Sequence, residues 1–192
     1  MAHRRDMTRI LQVAALLAAF ACAVALRVAV GGAAVAQSYR AGLVFAAALI
    51  LLAVAGGTRV PVSARAVLAG VAGAAVVCAP VALGHLASLR PLHGTDGFLP
   101  WVAVVTVVAG AEELFLRGTL YDATHRLAGS PAAVALGAIC FALLHVPLYG
   151  WHVLPLDFAV GLVLGGLRHA TGTPAAPAVT HVLADVAGWF LR

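Results

Sequence analysis

The sequence predicts an all-α protein, a polytopic bundle of about seven transmembrane helices, within a range of six to eight for a chain of this length. Three observations predict this class. Hydrophobic residues make up 63% of the 192 residues and charged residues 10%, whereas soluble domains are about half apolar and a quarter charged. Mean hydropathy is +1.03. The apolar residues fall into successive runs, separated by short segments that carry Gly, Pro or Arg.

The N-terminal half contains three apolar runs. Ala34-Val35-Ala36, after the first run, resembles a signal-peptide cleavage site. That run is longer than a signal core and further runs follow, so a retained first helix is predicted. The second run is closed by Gly56-Gly57. The three runs occupy residues 10–30, 43–55 and 66–89.

The C-terminal half contains four more runs. A tight connection at Ala128-Gly129-Ser130 separates the fourth from the fifth, and Pro131 suits the first turn of a new helix. Gly161 and Gly165 in the sixth run form a small-xxx-small pair, which predicts close approach to a neighbouring helix. The four runs occupy residues 100–126, 131–146, 154–167 and 177–191.

The two glutamates of this chain are adjacent, at Glu112 and Glu113, inside the fourth run. Arg117 follows Glu113 by four residues, which places the two side chains on one helical face. Charged residues at bilayer depth are costly and mark functional sites. The pair is therefore interpreted as part of a site, in preference to a helix end in the headgroup layer.

Two further motifs have the same helical spacing, Phe141 with His145 and His181 with Asp185. If the fourth and fifth runs fold back on each other, Glu112 and His145 each lie roughly 20–25 Å from the turn. His181 and Asp185 lie roughly 10–20 Å from the turn before their own helix. The motifs therefore reach overlapping depths, and their acids and histidines are predicted to line one polar cavity.

Acid and imidazole groups inside a membrane support more than one chemistry. Glu112 can take a proton from water beside a histidine, and a second histidine can donate a hydrogen bond to an oxyanion. The set Glu112, His145, His181 and Asp185 could instead hold Zn²⁺. A transporter is a different class of function for the same groups, but the sequence has no internal repeat.

The ordered motifs Glu-Glu-x-x-x-Arg, Phe-x-x-x-His and His-x-x-x-Asp resemble those of the CPBP family. This family comprises type II CAAX prenyl endopeptidases and the bacteriocin-processing Abi group of intramembrane proteases. The resemblance covers about residues 100–191. It implies an all-helical membrane protease with its active site within the bilayer. Its substrate would be a lipidated or membrane-anchored peptide, such as a prenylated CAAX tail, a pheromone or bacteriocin, or a C-terminal sorting anchor.

The resemblance also implies roles for the motif residues. Glu112 would activate water with the help of His145, and His181 and Asp185 would stabilise the oxyanion. The resemblance implies that Glu113 and Arg117 form an ion pair that supports the site. It implies a structural role for Phe141 as well.

The family often carries Asn at the position of Asp185, and the additional acid here favours metal binding or a role in orienting His181. A metal-free glutamic mechanism is preferred to a zinc-dependent one. A catalytically idle immunity or scaffold protein is the remaining alternative. Asp157, near the start of the sixth run, is assigned a structural or interfacial role.

The chain is predicted to be a single integral membrane domain, with N-terminal helices in residues 1–98 and the catalytic core in residues 99–192. All twelve basic residues are arginines scattered singly, which predicts topology signals and no nucleic-acid partner. The protein is predicted to lie in a bacterial plasma membrane with its N-terminus in the cytoplasm. Seven arginines then lie on the inner side and four on the outer side, and Arg117 is left out because it is predicted within the fourth helix. The inner set is Arg4, Arg5, Arg9, Arg59, Arg65, Arg126 and Arg168, and the outer set is Arg27, Arg40, Arg90 and Arg192.

Overall fold

The computed structural model of the protein describes residues 2–88 and 92–191, apart from the side chains of residues 2–5. The predicted end of the third run at residue 89, and Arg90 and Arg192 of the topology prediction, lie outside the described residues. So do the side chains of Arg4 and Arg5.

The described residues are helical nearly throughout and contain no strand, which confirms the predicted all-α class. A π-helical segment, Leu114–Leu120, joins α4 to α5, and 3-10 turns lie at Gly32–Ala34 and Trp151–Val153. The α-helices are α1 (Ala2–Gly31), α2 (Tyr39–Ala55), α3 (Ala64–Ser88), α4 (Phe98–Glu113), α5 (Tyr121–Tyr149), α6 (Leu154–Thr171) and α7 (Ala175–Leu191).

Among the described residues, four helical segments are long and apolar enough to cross a membrane. One of them has 52 residues, because it runs through α4, the π-helical segment and α5. The shorter apolar helices α2 and α7 have 17 residues each. These lengths are compatible with about seven spans. The four segments are Asp6–Ala34, Ala64–Ser88, Phe98–Tyr149 and Trp151–Thr171.

The sharp turn predicted at Ala128-Gly129-Ser130 divides α5 into two arms. Gly129 has φ 83° and ψ 175°, a conformation that a residue with a Cβ rarely adopts. Beyond it the chain runs back along the preceding arm. A Cβ at Gly137 would lie 3.9 Å from the carbonyl oxygen of Leu116. The two arms are therefore neighbours, as the depth argument requires.

The π-helical segment between Glu113 and Tyr121 was not indicated by the sequence, which predicts one α-helix over residues 100–126. The side chain of Arg168 on α6 makes hydrogen bonds to the π-helical segment and to the start of α5. Its Nε donates to the carbonyl oxygen of Arg117 at 2.6 Å, and its NH2 donates to Asp122 Oδ1 at 2.7 Å. The wider turn of a π-helix loosens the usual backbone pairing, and Arg168 provides one carbonyl with a charged donor.

Close packing of small residues brings the site-bearing helices together. A Cβ at Gly161 would meet the Cα of Ala138 at 2.7 Å, and one at Gly165 would meet Val134 Cγ1 at 2.9 Å. The small-xxx-small prediction is therefore confirmed, with α5 as the partner of α6. Elsewhere α2 packs against both α1 and α4, and α3 packs against α7.

Candidate active site

A cavity of about 470 Å³ opens among α1, α2, α4, α5 and α7. Side chains of α4 form an apolar wall through Trp101, Val104, Val105 and Val108. Four ionisable residues from three separate helices lie in the same lining, and they are the four for which sequence analysis predicts one polar cavity: Glu112, His145, His181 and Asp185.

The adjacent glutamates occupy different surroundings, because neighbouring residues on a helix point about 100° apart. Glu112 is 3% exposed and lines the cavity. Glu113 is completely buried and faces Arg117 and His181. Helix geometry alone therefore assigns one carboxylate to the cavity and the other to the supporting structure.

Glu113 Oε1 accepts two charge-assisted hydrogen bonds. Arg117 NH1 donates to it at 2.9 Å, and His181 Nδ1 donates to it at 3.0 Å. Arg117 is itself 1% exposed, and its NH2 donates to the carbonyl oxygen of Gly161 at 3.3 Å. The ion pair that the resemblance implies is thus present, and it also fixes His181, a contact that sequence spacing did not indicate.

His181 lies between two carboxylates. With Nδ1 donating to Glu113, the other nitrogen, Nε2, lies 3.8 Å from Asp185 Oδ2. That distance is longer than a hydrogen bond. Glu113 is therefore the group that sets the orientation of the ring, and Asp185 provides negative charge beside Nε2.

His145 has a defined tautomer. Its Nδ1 lies 2.9 Å from the carbonyl oxygen of Phe141, and a carbonyl oxygen accepts only, so Nδ1 carries a proton. Nε2 of the neutral ring is then an acceptor. Asp157 Oδ2 lies 3.7 Å from Nδ1, so Asp157 lies beside the ring of His145.

The Phe141 ring packs at the centre of this arrangement. It makes edge-to-face contacts with His145 at 4.6 Å and with His181 at 5.2 Å between ring centroids. The guanidinium carbon of Arg117 lies 4.9 Å from the same ring. One aromatic side chain thus contacts both imidazoles and the guanidinium of the buried ion pair.

Arg27 has a place in the cavity that the sequence did not indicate, because it was counted only as a topology signal on the outer side. It lies within α1, its side chain is 11% exposed, and it lines the cavity. Its NH1 lies 3.5 Å from Glu112 Oε1. The available signal was its position three residues inside the predicted end of the first apolar run, which is too deep for a loop.

The arrangement of donors in the site bears on the zinc alternative. Among the residues that the structure describes, no three His, Cys, Asp or Glu side chains are placed to hold one metal ion. Nδ1 of each histidine donates, to Phe141 or to Glu113, so Nε2 is the ring nitrogen left to ligate a metal. The guanidinium of Arg27 also places positive charge beside Glu112, where a dication would be repelled.

Comparison with known proteins identifies a family for the C-terminal half of the chain. A search of curated proteins and a search of solved structures each found no match. Residues 94–187 match the family described as type II CAAX prenyl endopeptidase Rce1-like. The matched segment contains all three motifs and the α4 residues that form the apolar wall of the cavity. The family indicates a protease of the CAAX intramembrane endopeptidase kind, and the apolar helices indicate a membrane protein. Residues 94–187 of this chain are therefore a type II CAAX prenyl endopeptidase domain of the Rce1-like family.

Proposed function

We propose that this protein is an intramembrane endopeptidase in which Glu112 activates water to hydrolyse a peptide bond of a lipidated or membrane-anchored substrate. The observation that carries the proposal is the single cavity shared by Glu112, His145, His181 and Asp185. These groups come from α4, α5 and α7, and together they contain an acceptor for a proton and donors for an oxyanion.

The proposed reaction begins with a water held between Glu112 Oε2 and Nε2 of His145. Glu112 takes a proton from this water as its oxygen bonds to the scissile carbonyl carbon. Negative charge develops on the carbonyl oxygen, and Nε2–H of a protonated His181 donates to it. Glu112 then delivers its proton to the leaving amine as the C–N bond breaks. The products are a carboxylic acid and an amine, and Glu112 is again a carboxylate.

Asp185 and Asp157 support the two imidazoles in this scheme. Asp185, 3.8 Å from Nε2 of His181, stabilises the positive charge of the protonated ring. Asp157, 3.7 Å from Nδ1 of His145, reinforces the tautomer that the Phe141 carbonyl selects. Neither acid is required to bind the substrate.

An apolar substrate suits the α4 wall of the cavity. Trp101, Val104 and Val108 face the same space as Glu112, so an apolar chain can lie along α4 while its peptide bond reaches the polar end. A prenylated CAAX tail is the proposed substrate class, with pheromones or bacteriocins and C-terminal sorting anchors as the other members of the same class. The proposed location is a bacterial plasma membrane with a cytoplasmic N-terminus, which fusions of a topology reporter to the N-terminus would test.

The experiment is cleavage of a synthetic farnesylated CAAX peptide by the purified protein in detergent or liposomes, with the products identified by mass spectrometry. The expected result is a farnesyl-cysteine fragment with a free carboxylate together with the released tripeptide. Peptides resembling pheromones and sorting anchors are tested in parallel. A folded protein that cleaves none of these substrates contradicts the protease proposal and leaves the scaffold or transporter alternatives.

A further inference from the structure

Arg27 comes from the part of the chain that precedes the matched family domain. It lies in the last turns of α1, whereas the domain begins at residue 94. Its side chain is nonetheless part of the cavity lining, opposite the helices that carry the motifs. The cavity is therefore built from both halves of the chain.

Two contacts fix the position of the Arg27 side chain. The guanidinium carbon lies 5.0 Å from the centre of the Phe45 ring on α2, within range of a cation–π contact. NH1 lies 3.5 Å from Glu112 Oε1. Nε is buried and has no hydrogen-bond partner among the described residues. The group is thus held between an aromatic face and the cavity carboxylate.

The charged and titratable groups that face Glu112 come from every helix packed around it. The other cation of the site, Arg117, is bonded to Glu113 Oε1, and so is Nδ1 of His181. Within the described part of the chain, Arg27 supplies the only hydrogen bond or ion pair of the Glu112 carboxylate. The facing groups are Arg27 on α1, Tyr39 on α2, Glu113 on α4, Arg117 on the π-helical segment, His145 and Tyr149 on α5, and His181 and Asp185 on α7.

We infer that Arg27 is a positioning residue for the proposed hydrolysis: it holds Oε1 of Glu112, places positive charge beside the carboxylate, and leaves Oε2 to bind the attacking water. The inference rests on the proposed function of Glu112. It adds that α1 completes the site, so that the matched domain alone lacks the cation that its water-activating acid requires.

The activity test uses Arg27→Met and Arg27→Lys in the full-length protein, with Arg9→Met as the control. Arg9 lies on the same helix and its side chain is 45% exposed, so its loss removes an equal charge away from the cavity. For Arg27→Met we expect kcat to fall about 10- to 100-fold with little change in KM, because the acid and not the substrate loses its partner. The acidic limb of the pH–rate profile should move to higher pH, since removing a cation favours the protonated acid. Arg27→Lys should recover part of the rate, because it keeps the charge but not the planar fork.

A second test does not depend on activity. The chain has two glutamates, so labelling glutamate with ¹³C at the carboxyl carbon gives two signals, and Glu113→Gln identifies the Glu112 signal. In Arg27→Met that signal should change to its protonated position at a pH about 1–3 units higher than in the parent protein. An unchanged titration of Glu112 in a folded Arg27→Met variant overturns the inference. So does a parent-like kcat and pH profile in that variant. If the parent cleaves no peptide but Glu112 still responds to Arg27, the contact stands and the protease proposal fails.

Discussion

At the scale of single residues, the adjacent glutamates have different positions: Glu112 lines the cavity, and Glu113 forms the buried ion pair with Arg117. The four-residue spacing of Glu113 and Arg117 places both side chains on one helical face, and the family resemblance implies the ion pair between them. The spacing is not enough to predict that His181, 68 residues further on, shares the same carboxylate oxygen. That contact depends on how α7 packs beside α4, which local periodicity does not encode.

The buried pair predicts a loss of stability when Glu113 is changed. Glu113→Gln leaves the Arg117 guanidinium buried without its counter-ion, which costs about 3–5 kcal/mol. Thermal unfolding of purified protein in detergent should show a lower Tm, and activity should fall because His181 also loses its partner. Glu113→Gln combined with Arg117→Met should recover part of the Tm, since both charges are then absent. A single variant as stable as the parent would show that the pair contributes little.

At the scale of helices, the turn at Gly129 and the small residues on α6 could be read from the sequence, because turn glycines and small-xxx-small pairs have local signals. The π-helical segment could not, because no local residue pattern distinguishes it from an α-helix. It depends on a distant donor, the Arg168 side chain on α6. The role of Arg27 was missed for a related reason: a lone arginine near a helix end normally acts as a topology signal.

Close approach of α6 to α5 predicts opposite effects for two glycines on one helix. Gly161→Ala places a Cβ 2.7 Å from the Cα of Ala138, so the helices must separate, at a cost of about 1–3 kcal/mol. Gly166→Ala is the matched control, because a Cβ there meets no atom within 4 Å. That control should be neutral or stabilise by about 0.5–1 kcal/mol, since alanine favours helix. Thermal unfolding measures both, and equal Tm values for the two variants would contradict the packing described for α6.

At the scale of the whole molecule, composition and motif order were enough to predict an all-helical membrane protein and its family, because both depend on short-range patterns. The sequence assigned the first 98 residues a generic role as membrane helices. The structure shows that α1 and α2 line the cavity as well, through Arg27 and Gly42. Contacts between distant helices of this kind follow from the packing of the complete bundle.

The proposed mechanism predicts that activity does not depend on a metal ion. Purified protein should contain substoichiometric zinc by elemental analysis, and its peptidase rate should be unchanged during titration with a chelator. The reason is that the Arg27 guanidinium lies beside Glu112 and would repel a dication there. Stoichiometric zinc, with activity that is lost on chelation and restored by zinc alone, would support a metalloprotease in place of the glutamic mechanism.

The central claim is that Glu112 is the proton acceptor for the attacking water, and the most direct test compares Glu112→Gln with the parent protein. The measurement is the rate of farnesyl-peptide cleavage at matched concentrations of folded protein. The exposed acid Asp6, whose side chain is 61% exposed, provides the control variant Asp6→Asn. Glu112→Gln should lose about 10²–10⁴-fold in rate, as expected for removal of one positioned acid–base group, with a Tm close to that of the parent. Asp6→Asn should keep the parent rate. A Glu112→Gln variant that cleaves the peptide at the parent rate would contradict the account.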